Sequence, residues 1–146
     1  ISGLLATNGM MVDLSGNQLK IVDHIDTGRV YLDGTLKIGA LDGIIRDRIK
    51  LAINGLVVVN IIIDENDEIL GEPWCEIRGL ADYGQSDCNF IDVLEEDLSQ
   101  YLGRSSVSLI QDDYKLEKEI KRIILQTALA EIGKKPEVSV IISRLS

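Results

Sequence analysis

The rhythm of apolar and polar positions changes twice along the chain. Over residues 1–34 short apolar runs are separated by turn residues. "ISGLLAT" and "MMVDL" flank Asn8-Gly9, Ser15-Gly16-Asn17 makes the next turn, and "QLKIVDHI" leads through Asp26-Thr27-Gly28 into "RVYLD". This pattern predicts a β-meander. Its strands are short and bring no partner layer, so they read as one wall of a sheet whose other members lie elsewhere. Residues 34–44 are then punctuated by Gly34, Gly39 and Gly43, which marks the candidate domain boundary.

From Ile45 the spacing reads as longer strands. Arg46, Arg48 and Lys50 fall on one face of a strand over Ile45–Ile53, with Ile45, Ile49, Leu51 and Ile53 on the other. Asn54-Gly55 then predicts a tight hairpin, because both central residues of a type I′ turn need positive φ. Leu56–Ile63 hardly alternates and reads as a strand buried on both faces. Asp64–Asp67 turns the chain, and Glu68–Arg78 returns as a third strand, with Pro73 pushing part of it to an edge or bulge.

The period then becomes helical. Asn89 is the expected N-cap of a helix whose stripe is Phe90, Val93, Leu94, Leu98, Tyr101 and Leu102, with Gly103 ending it. After a polar loop, Arg104–Asp112, a second helix runs from about Asp113 to Glu131. Its stripe is Leu116, Ile120, Ile123, Ile124, Thr127 and Ala128, supported by a Glu117–Lys121 pair. Gly133 and Pro136 stop it, and Val138–Ile142 is the closing strand. The order predicts an α+β fold, a small mixed sheet covered by two helices.

Composition adds a partition of charge. The net charge of −9 is concentrated in residues 64–113, which hold fourteen acidic and two basic residues. Residues 1–53 balance six against six, and residues 114–146 hold seven basic and four acidic. The acidic surface disfavours a module that wraps duplex nucleic acid, leaving only local basic patches for phosphate. Cys75 and Cys88 match neither a zinc ribbon nor a disulfide framework and read as two reduced cytosolic thiols. No run reaches transmembrane length, so no membrane is expected, nor is a signal peptide. The chain opens at Ile1 inside an apolar run, as expected of a piece cut from a longer protein.

Candidate chemistry is sparse. His24, between Asp23 and Asp26, is the single histidine and reads as a solvated turn residue. The carboxylates Asp64, Glu65, Asp67 and Glu68 fail the calcium-loop pattern, since its sixth and twelfth positions are Ile69 and Cys75. No catalytic residue and no metal ligand set is expected. The candidates for RNA contact are Arg46, Arg48 and Lys50, three cations on the expected strand face, together with Lys134 and Lys135.

Several segments resemble a known family. "GRVYLDG" is similar to the "G-x-V-x-V-D-G" segment of ribonuclease J at Gly28, Val30, Leu32, Asp33 and Gly34. "IRDRIKLAINGLVVV" resembles "L-R-D-R-x-x-L-(S/A)-x-D-G-x-V-V-V" at Arg46, Asp47, Arg48, Leu51, Ala52, Gly55 and Val57 to Val59, with Asn54 at the Asp position. "IRGL" resembles "S-R-G-F" at Arg78 and Gly79, and "KKPEVSVII" resembles the closing motif around Pro136. The matches keep their order from about Asn8 to Ile142.

The resemblance implies that residues 1–34 are the last strands of a metallo-β-lactamase core, residues 35–50 a linker and residues 51–146 a C-terminal domain. The parent would be a cytoplasmic 5′–3′ exo- and endoribonuclease, a hydrolase of RNA processing with a zinc centre upstream. The fragment itself would carry no cofactor and be inactive. Its partners would be a second copy of itself, its own upstream catalytic core, and RNA in the full-length enzyme. Its job would be oligomer assembly and shaping of the RNA path. Two other readings stand beside this one: an RNA-contacting module using Arg46, Arg48 and Lys50, and an unrelated acidic α+β interaction domain.

Overall fold

The computed structural model describes residues 3–40 and 42–145. The chain forms two compact units, Ile1–Arg46 and Asp47–Ser146.

The first unit holds two separate antiparallel hairpins rather than one meander. β1 (Met10–Asp13) pairs with β2 (Lys20–His24), with a bulge at Met11/Val12, and β3 (Val30–Asp33) pairs with β4 (Leu36–Gly39). No strand forms among the described residues of "ISGLLAT"; Ile1 and Ser2 lie outside them. Gly34 (φ +62°) is the first of the two residues joining β3 to β4, in the left-handed conformation a primed hairpin turn requires. The connector expected at 34–44 therefore contains a strand. Among the described residues of this unit only Ile38 of the large apolar side chains is buried, while Leu14, Val22, Ile25, Val30, Leu32 and Leu36 are exposed.

Residues 45–53 fold differently from the expectation. The expected strand is a helix, α1 (Gly43–Asn54), and Asn54-Gly55 ends that helix instead of turning a hairpin. The segment carries no proline, and Ile45, Ile49 and Ala52 recur at helical spacing while Ile45, Ile49, Leu51 and Ile53 fit strand spacing. Gly55 serves a helix terminus as readily as a hairpin, because both use positive φ. None of the α1 residues is buried. The stretch 35–50, expected as a linker, holds β4 and the first turns of α1.

The second unit is built on a three-stranded sheet in the order β6-β5-β7. β5 (Leu56–Ile63) pairs antiparallel with β6 (Trp74–Arg78) and parallel with β7 (Glu137–Arg144). The third strand is shorter than expected and begins just after Pro73, with Ile69 bridging to Ile63. Between β6 and β7 run α2 (Phe90–Leu102), α3 (Val107–Ile110) and α4 (Asp113–Ile132). The loop expected at Arg104–Asp112 thus contains a short helix.

The caps follow the sequence. Asn89 accepts a hydrogen bond from the Ile91 amide (2.9 Å), Asp112 accepts from the Lys115 amide (3.1 Å), and Gly133 takes the left-handed conformation after α4. Phe90, Leu94, Leu98 and Leu102 of α2 and Leu116, Ile120 and Ile124 of α4 bury against Val57, Val59, Ile61 and Ile63 of β5. Each of these side chains is worth about 1.5–3 kcal/mol when removed from water. Arg144 fastens the far end of β7, donating to Asp67 (2.8 Å), Asp113 (2.7 Å) and the Ile110 carbonyl (2.5 Å).

β5 is not buried on both faces as expected. Its burial alternates, with Val57, Val59, Ile61 and Ile63 under the helices while Leu56, Val58 and Asn60 are half-buried and Ile62 is exposed. The helices cover one face of the sheet only. On the open face Asn60 stands in register between Trp74 and Ile141, which are 52% and 50% exposed.

Candidate functional site

The residues that carry motif character gather where α1 passes into β5. The Gly55 amide donates to the Leu51 carbonyl (2.9 Å), closing α1, and the Gly55 carbonyl accepts from the Glu137 amide (3.0 Å), opening the pairing with β7. Gly55 sits at φ +76°, and a Cβ there would lie 2.5 Å from Leu80 Cδ2 and 2.8 Å from the Gly79 carbonyl oxygen. Gly79, at φ +66°, ends the β6 side of the same junction, one residue past Arg78, whose guanidinium pairs with Glu76. Pro136 is buried immediately before β7.

Two side chains from the far end of the sequence complete the junction. Asn54 Nδ2 donates to Glu137 Oε1 (3.0 Å), and Lys134 Nζ donates to the Ile53 carbonyl (3.0 Å). An ammonium on a late carbonyl of α1 satisfies a group with no partner inside the helix and opposes the negative end of its dipole. Lys134 therefore has a positioning contact, while Lys135 beside it is exposed. Neither the Asn54–Glu137 nor the Lys134–Ile53 contact was expected from spacing, since each joins residues more than eighty positions apart.

The strand face proposed for Arg46, Arg48 and Lys50 does not form. On α1 a separation of four brings Arg46 and Lys50 to one side, while Arg48, two residues from each, points away from them. All three are exposed. Gly28, Asp33 and Gly34 lie in the first unit, just before β3 and at its hairpin turn, and Asp47 lies within α1. His24 ends β2 in an exposed position. Among the described residues no group of three or more His, Cys, Asp or Glu side chains could hold a metal ion. The described residues therefore do not fit the zinc centre that the resemblance implies for the parent enzyme.

Buried polar contacts are structural. Glu95 accepts the Cys75 amide (2.7 Å), and burial, with Glu95 adding to it, pushes the Cys75 thiol up to about 12. Tyr101 donates to Glu119 (2.8 Å), which also receives Arg122 Nε (2.9 Å). Arg122, then Tyr101, hold Glu119 below the ordinary carboxylate value, and burial with the Glu119 bond raises Tyr101. No helix among the described residues is long and apolar enough to cross a membrane.

The family described as the ribonuclease J C-terminal domain matches residues 43–145. The chain is 29% identical over 139 residues to "Ribonuclease J" of Sinorhizobium meliloti, covering 94% of this chain and 24% of that protein. It is 26% identical over 121 residues to "Ribonuclease J" of Corynebacterium glutamicum, covering 82% of this chain and 16% of that protein. The chain thus spans a quarter or less of the curated relatives it matches. Three of the four ordered motifs meet at the junction that sets α1, β5, β6 and β7 together, and the domain match covers well over half of the chain, so the chain belongs to the ribonuclease J family, with residues 43–145 its C-terminal domain.

Proposed function

We propose that this chain is the C-terminal region of a cytoplasmic ribonuclease J-like 5′–3′ exo- and endoribonuclease, and that it assembles the enzyme and shapes the RNA path. Catalysis and its zinc centre belong to the upstream core, to which residues 1–34 contribute closing strands. The exposed apolar side chains of the two N-terminal hairpins support that last point, because hairpins this small do not stand alone in water.

The observation that carries the assembly role is the open sheet face. Trp74, Ile62 and Ile141 are exposed on the face opposite the helices, in a unit whose core is otherwise closed. An apolar patch of this kind marks an interaction surface. Sedimentation equilibrium on the 146-residue chain is expected to give a dimer or higher species, and Trp74→Lys is expected to shift it to monomer. A strict monomer at high micromolar concentration overturns the assembly role.

A further inference from the structure

We propose that the groove between α2, α3 and α4 binds the phosphodiester backbone of single-stranded RNA; this rests on the reading of the chain as part of an RNA-acting enzyme. Two hollows of about 540 and 610 Å³ share Tyr101, Ser106 and Leu109 as lining, so they lie side by side along this groove. Arg104 enters from the end of α2, and Lys118 from the first turns of α4.

The charge in this groove is set by which groups are already engaged. Asp97 accepts the Thr127 hydroxyl (2.5 Å), and Glu119 is held by Tyr101 and Arg122. Lys115 pairs with Asp112 at 2.9 Å. Arg104 and Lys118 make no ion pair among the described residues, in a chain with 24 acidic and 15 basic residues. Glu119 is balanced by Arg122, Asp97 keeps its charge while bonded to the Thr127 hydroxyl, and the two cations Arg104 and Lys118, from different elements, outnumber that one unbalanced carboxylate. The exposed Ser106 and Ser108 hydroxyls bond each other at 3.0 Å, which leaves one O–H of the pair to donate outward. Tyr101 and Leu109 give apolar lining between the two cations. Cations and hydroxyls spaced along an aromatic and aliphatic floor match a polymer that alternates phosphate with flat bases.

The test is fluorescence anisotropy of a labelled oligouridylate with the 146-residue chain, over a range of salt, against the Arg104→Ala/Lys118→Ala variant. Wild type is expected to bind at low salt and weaken steeply with added salt. The variant is expected to lose about tenfold in affinity, and its log–log salt slope to fall by roughly 1.4, or 0.7 for each lost phosphate contact. Circular dichroism of the variant guards against misfolding, and both positions are on the surface. Unchanged affinity and slope overturn the proposal. So does an equal loss from the charge-matched Lys20→Ala/Lys37→Ala change, or equal binding of labelled poly-glutamate. A chain that assembles in sedimentation but whose RNA binding ignores Arg104 and Lys118 overturns the groove alone. A chain that neither assembles nor binds RNA overturns the wider reading as well.

Discussion

Gly55 and Gly79 meet at one end of the β5–β6 pair, where the Leu80 side chain also packs against Gly55. A Cβ on Gly55 would stand 2.8 Å from the Gly79 carbonyl oxygen, while a Cβ on Gly79 would stand 3.7 Å from Gly55 Cα. The first distance is a clash with backbone and the second is ordinary contact. Both residues have positive φ, which costs an L-residue about 1–2 kcal/mol. Gly55→Ala is therefore expected to lose clearly more than this, about 3 kcal/mol with the clash added, and Gly79→Ala only the conformational cost. Urea unfolding of the two variants measures the gap. Equal losses would mean that the junction relaxes around Gly55.

The same junction shows what spacing can and cannot reveal. α2 and α4 were legible because boundary residues and stripe agree: Asn89, Gly103 and Gly133 stand beside apolar residues at one period, while the Asp112 cap emerges only in the structure. α1 was not, because "IRDRIK" satisfies a period of two as well as a helical one, and Asn-Gly ends either element. The alternation of β5 was hidden because Leu56, Val58 and Ile62 on its open face are as apolar as the buried set. The motif glycines could be named from the sequence, but their meeting could not. Contacts such as Asn54–Glu137 and Lys134–Ile53 exist only after the sheet has brought distant segments together.

Acid is expected to loosen the packing of α2 on α4. Glu119 has a depressed pKa because Arg122 and Tyr101 favour its charged form. A carboxylate lowered in the folded state contributes stability above its unfolded value, ordinarily 4.5, and loses it as pH falls through the folded value. The unfolding midpoint should therefore fall as pH drops below about 4.5, and Glu119→Gln should flatten that part of the profile. A Glu119→Gln profile parallel to wild type would assign the acid sensitivity to Asp13, Asp64 and Asp112, which are lowered as well.

The two cysteines should differ sharply in reactivity. Only a thiolate attacks a disulfide reagent, and the buried Cys75 is held almost wholly as thiol at neutral pH. Cys88 is exposed. An aromatic disulfide reagent is expected to modify one thiol per native chain within minutes and the second only with denaturant. Cys88→Ser should abolish the fast phase. Two fast thiols in the native protein would place the β6 edge in frequent local opening.

Asn60 gives the last test, at the centre of the open sheet face. Its Oδ1 is buried without a hydrogen-bond partner among the described residues. An unpaired buried carbonyl costs about 1–3 kcal/mol, and valine fits a strand position flanked in register by Trp74 and Ile141. Asn60→Val is therefore expected to raise the stability of the isolated chain by about 1 kcal/mol, read as a higher urea midpoint at low protein concentration. Raising the concentration separates two origins of the effect. If the gain persists where the chain assembles, the amide is unpaired in both states. If the gain reverses there, a second molecule supplies the missing donor, and Asn60 lies inside the assembly surface.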